Sequence, residues 1–169
     1  GNDFGEILGA TGSLTLVDQN SITVSSIGGG ISSNAGNISL TATGTGALTL
    51  NGNVNAGGGN VTLSAHGSIT QPGGTLTANT VTASSSVGSI SLDRNSNNFA
   101  TARVTASGAS SVTIADLGNL AISGSGGSLV ASGSGTVTVD QILNFAGSVQ
   151  LDGATRLPLA DNLTAGGNV

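Results

Sequence analysis

The sequence predicts an all-β chain wound as a parallel β-helix, a solenoid of about seven coils, three-faced in section. Three observations predict it. One short phrase recurs along the chain: polar, apolar, polar, apolar, then a glycine-rich break. Strict alternation of Ser, Thr or Asn with Leu, Ile or Val is the period of a strand with one face buried and one face wet. A strand of four or five residues cannot hide its apolar face alone, so strands at near-regular spacing must bury their faces copy against copy. Finally, aromatics make up 2% of the chain (Phe4, Phe99 and Phe145), and Trp, Tyr, Met and Cys are absent. An irregular globular core draws on larger side chains, whereas Leu, Ile, Val and Ala suit a narrow interior of uniform layers.

Taken in order, the phrase stands clear at 13–16 (SLTL) and returns at 21–24 (SITV), 37–40 (NISL), 47–50 (ALTL) and 60–63 (NVTL), running on to 148–151 (SVQL). Successive phrases start about 8 residues apart, with gaps of about 12 to 16, and the like phrases at Asn37 and Asn60 stand 23 apart. A coil of roughly 20 to 25 residues holding three short strands explains both spacings. Seven such coils at about 4.8 Å per strand would make a rod of roughly 35 Å. Glycine clusters at 28–30, 57–59 and 73–74 fall between phrases and read as turns needing positive φ. The run 93–98 (DRNSNN) reads as an exposed turn. Residues 139–150 are the best helix candidate, yet Gly147 and the flanking strands favour an irregular turn. Residues 156–159 (RLPL) read as a loop or an edge, since Pro158 cannot donate to a ladder. No composition shift marks a boundary, so residues 1–169 read as a single β-helix segment. Disorder fits poorly, because only 7% of residues are charged and β-branched residues occur throughout.

The charge balance excludes several classes of partner. Arg94, Arg103 and Arg156 are the basic residues, lysine is absent, and the net charge is −5. Nucleic acid binding relies on clustered Lys and Arg, so no nucleic acid partner is expected, and anionic lipid headgroups are disfavoured for the same reason. No apolar run approaches the roughly 18 residues of a membrane-spanning helix, so no membrane insertion is expected. Without cysteine or lysine there is no disulfide, thiol, isopeptide or Schiff-base chemistry.

Candidate chemistry is sparse. His66 is the only histidine, and one histidine cannot build a His-rich metal site; it reads as a surface residue at a strand end. Among the carboxylates, Asp93, Asp116 and Asp140 are spaced by about one coil each and could stack as a column, to bind Ca²⁺ or to act as an acid/base pair on a polysaccharide. Each also lies in or before a turn, where Asp is favoured for local hydrogen bonding, and that reading is preferred. Gly124 to Gly127 reads as a turn, since no helix follows to make a phosphate site. Thr-x-Thr pairs at 41/43, 75/77, 80/82 and 136/138 raise ice binding, but their irregular spacing argues against aligned ranks. Asn37, Asn60 and Asn162 match a glycosylation acceptor pattern that a Ser/Thr/Asn-rich chain produces by chance. No catalytic, cofactor-binding or metal-ligating residue is assigned, and no cofactor is expected.

The stretch 67–78 (GSITQPGGTLTA) resembles the "GxITQ…GTLTA" phrase of filamentous-haemagglutinin-type exoproteins of Gram-negative bacteria. Residues 88–99 (GSISLDRNSNNF) with 104–108 (VTASG) resemble that family's "SISL…NNF…VTASG" phrase, and 1–5 (GNDFG) resemble its "NxF" element. The resemblance covers essentially the whole chain. It implies a right-handed parallel β-helix, the hand that general chirality rules also favour. It further implies secretion to the cell surface or beyond, and roles in adhesion, biofilm or toxin delivery. The function expected is therefore a structural shaft segment of an extracellular adhesin, a stiff rod for adhesion or biofilm; the sequence does not identify a receptor, whether a host or cell-surface glycan or a protein. The alternatives are a filament subunit associating end to end, and a polysaccharide-acting enzyme.

Overall fold

The computed structural model describes residues 9–10, 12–153 and 163–169. Phe4, the element at 1–5, the loop at 156–159 and Asn162 lie outside the described residues. The alternating phrases become short strands, and every strand pairing is parallel. The first coil carries β1 (Gly9–Ala10), β2 (Leu14–Asp18) and β3 (Ile22–Val24). The second carries β4 (Gly30–Ser32), β5 (Ile38–Ala42) and β6 (Leu48–Leu50), and the third β7 (Asn53–Asn55), β8 (Val61–Ala65) and β9 (Ile69–Thr70). Each strand pairs with its equivalent one coil on, which makes a β-solenoid of about seven turns with no α-helix among the described residues.

From the fourth coil the first two strands of each turn run together. The pairs become β10 (Leu76–Ser85) with β11 (Ile90–Leu92), β12 (Asn98–Ala106) with β13 (Ser111–Asp116), β14 (Leu120–Gly126) with β15 (Ser128–Gly133), and β16 (Val137–Phe145) with β17 (Val149–Gly153); β18 (Leu163–Ala165) follows. The sequence explains the change. Between β7 and β8 the corner is Ala56-Gly-Gly-Gly-Asn60, with Gly57 at φ 56°. In β10 the same corner is Asn79-Thr80, without glycine, and the extended backbone continues through it. The three faces thus remain, but two of them join into one 11-stranded sheet, while β3, β6, β9, β11, β13, β15 and β17 form a separate seven-stranded sheet.

Residues 139–150, read from sequence as an irregular turn, fall largely within β16 and β17. Inward Val137, Val139, Leu143 and Phe145 are buried and hold the segment in the sheet. The disturbance that the sequence signalled is a bulge: Ile122 pairs with Val139 but Gly124 with Leu143, so three residues of β16 oppose one of β14.

One apolar cluster runs through the interior, built of in-register files. Ile22, Leu48, Ile69, Ile90, Val112, Leu129 and Val149 form one, with each residue opposite the next. Another corner file is small: Ala42, Ala65, Ser85 and Ala106. Where the coils shorten, Phe145 fills that corner opposite Gly126, and a Cβ on Gly126 would stand 3.0 Å from its ring. Size is matched to space, as close packing requires.

Candidate interaction surface

The three carboxylates that sequence spacing suggested do not form a column. The coil step near them is 22 residues, seen where the Ser111 N–H meets the Ser89 hydroxyl, so Leu92 stands opposite Ile114 and Asp93 is offset from Asp116 by one residue. Asp93, just past β11, is exposed, whereas Asp116, the last residue of β13, is buried. Asp140 lies in the other sheet, on β16, where it makes an ion pair with Arg103 at 3.4 Å. Among the described residues no three acidic, His or Cys side chains gather where they could hold a metal ion.

Asp116 is instead a corner staple. One carboxylate oxygen accepts from the Phe99 N–H at 2.8 Å and the other from the Gly118 N–H at 2.6 Å. Burial pushes its carboxyl above the ordinary value, and the backbone donors of Phe99, Gly118 and Leu117 pull it partly back. It borders a cavity of about 370 Å³ that also meets Asp152.

Beside it lies a buried amide pair. Gln71 donates to the Asn97 side-chain oxygen at 2.7 Å, and Asn97 donates back at 2.9 Å. Asn97 further donates to the carbonyls of Leu92 and Ala115 and accepts from the Leu76 N–H, so its capacity is fully used. The run 93–98 does turn, but Asn97 points inward, which polarity alone could not show. His66 is half-buried just past β8, where its backbone bonds to Ala42 and Val87. The Asn37 amide oxygen accepts from the Asn60 N–H one coil on, at 2.9 Å.

The outward faces carry most of the polar chemistry. On the seven-stranded sheet, Thr23, Thr49, Thr70, Ser91 and Thr113 stand opposite one another in a single file, continued by Val130 and Gln150. On the larger sheet Ser39, Thr62 and Thr82, and Thr41, Ser64 and Ser84, form two more. The spacing that argued against such ranks is real: equivalent residues are 26 apart at Ser21 and Ala47 but 17 apart at Asn119 and Thr136. Along the seven-stranded sheet the corners absorb those differences and the strands stay aligned, while on the larger sheet β16 also takes up two residues in its bulge.

Searches against protein-family models, curated proteins and solved structures find no match for this chain. Function therefore has to be argued from the rod and its surfaces.

Proposed function

We propose that the chain is a length of stiff shaft in an extracellular bacterial adhesin or exoprotein of the filamentous-haemagglutinin type. The observation that carries this reading is the parallel ladder, stacked coil on coil over one apolar interior and shifted in register only at the β16 bulge among the described residues. Main-chain hydrogen bonds then run along the rod, and bending it requires loosening many of them at once. The two family-like phrases also hold equivalent places: Gln71 comes from the first, Asn97 and Phe99 from the second, and the amides meet inside the corner. The reading assigns the chain no catalysis. A further coil, from the same chain or from another copy, would pair on β3 or β17, the outer strands of the seven-stranded sheet, so end-to-end association is its natural partner contact.

Immunogold electron microscopy of intact producing cells tests the reading, using antibody raised against this chain. Label on the cell surface or on shed fibres is the expected result. Label confined to the cytoplasm in sections, with none outside, would overturn it.

A further inference from the structure

Where β14 places one residue, Ser123, between two aligned stretches, β16 places three: Asp140, Gln141 and Ile142. The surplus chain lifts off the sheet, and all three residues are exposed. Gly124 makes the complementary bend at φ 145°, and a Cβ there would be driven into the Val104 carbonyl oxygen. Bulges of this kind re-aim side chains and are over-represented beside binding sites.

The raised segment stands beside a flat polar floor. Thr82, Arg103 and Ser123 form one in-register row across three strands, with Ser123 buried at its end, and Ser84, Thr105 and Ser125 form the next, so the accessible hydroxyls are those of Thr82, Ser84, Thr105 and Ser125. Floor and bulge enclose an open groove of about 450 Å³, walled by Gln141, Ile142 and Asn144. Arg103 reaches past Ser123 to Asp140 and stays 47% exposed, which leaves guanidinium N–H groups facing the groove.

This lining selects among ligand classes. The strands β10, β12 and β14 are paired on both sides, so an extended peptide finds no edge to join. The single cation is matched by Asp140, so a polyanion gains little. Ile142, 64% exposed, is the one large apolar side chain with a prominent surface at the groove, too little for an apolar ligand. Serine and threonine hydroxyls both donate and accept, and they repeat about every 4.8 Å across strands and about 7 Å along them. Closely spaced groups that donate and accept are what a ligand carrying many hydroxyls needs. We propose that this groove binds a neutral glycan, its hydroxyls on the Ser/Thr floor and an apolar ring face against Ile142. The volume falls in the range of small-ligand sites and admits a short oligosaccharide. The proposal stands on the groove alone and does not depend on the shaft reading.

The test is a titration of the isotope-labelled full chain, followed by amide NMR, with neutral tetrasaccharides of gluco, galacto and manno configuration to about 20 mM, and a galacturonate tetrasaccharide as the anionic control. At least one neutral sugar should shift the amides of Thr82, Ser84, Arg103, Thr105, Ser125 and Asn144, with Kd on the order of 1 mM. A variant lacking Gln141 and Ile142 keeps the floor and removes the surplus chain, and it should bind at least tenfold more weakly. Should that deletion not fold, the Q141A/I142A double variant, altered only at exposed positions, should weaken binding severalfold. No shift with any neutral sugar, binding of the uronate alone, shifts spread equally over the seven-stranded sheet, or unchanged affinity in the folded variants would each overturn the proposal.

Discussion

At the scale of the residue, the interior is decided by a few polar groups in an apolar solenoid. Asp116 shows how two effects compete. Its burial disfavours the charged form, while its bonds from the Phe99 and Gly118 N–H groups favour it, and burial dominates. The folded carboxyl therefore titrates above its ordinary value of 3.8. As pH rises from that value to the raised folded one, the unfolded chain has released a proton that the native chain still holds, so stability falls across that window. The bonds are nonetheless worth keeping: Asp116→Ala strands the buried Phe99 N–H and the half-buried Gly118 N–H and should cost about 1–3 kcal/mol by urea unfolding at neutral pH. The same variant should lose less stability than the parent as pH rises above 3.8. An equal slope in both would show that Asp116 does not carry the effect. From sequence Asp116 was legible as a residue in or before a turn, and it closes β13 just before one, bonded to the Gly118 N–H. Its burial was not, because alternation stops marking the inward positions there: Ile114, Ala115 and Asp116 are buried in succession. Asn97 was missed for a related reason, since no local signal in DRNSNN separates the one amide that turns inward from its exposed neighbours.

At the scale of the element, strand identity was legible from alternation alone, and the glycine turns at Gly28 and Gly29, Gly57 and Gly74 adopt the positive φ expected of them. The bulged strand β16 was misread because three outward residues in succession break the period that announces a strand. Its place is fixed from the other side, by buried Val139, Leu143 and Phe145. Phe145 fills a corner that smaller residues fill in earlier coils, so Phe145→Ala should leave an uncollapsed void and cost about 3–5 kcal/mol in chemical denaturation. Phe145→Leu should recover more than half of that loss. A cost below about 1 kcal/mol for the alanine variant would mean that the corner collapses freely.

For the molecule as a whole, stability is held by apolar layers and main-chain hydrogen bonds, with little help from charge. With 7% charged residues, and one ion pair among the described residues, there is little for salt to screen. Raising NaCl from about 0.05 to 1 M should move Tm by no more than about 4 °C, either way, in a thermal melt followed by circular dichroism. A drop of ten degrees or more would point to electrostatic stabilisation that the fold does not display. The solenoid as such was plain in the sequence, because periodicity is a property of the whole chain and survives local irregularity. The outward ranks were not, since in a stacked fold the alignment of faces is set by how corners bend and cannot be read by counting residues along the chain.

That division of labour has a consequence for how such a chain can change over time. Along the seven-stranded sheet the corners take up differences of up to nine residues between coils, from 26 to 17, without shifting that face. Insertions and deletions at a corner are thereby uncoupled from the pattern that each face displays. A lineage of these molecules can lengthen, duplicate or trim its coils by unequal recombination and keep that surface in phase, so the chemistry written on that side is inherited independently of the length of the rod.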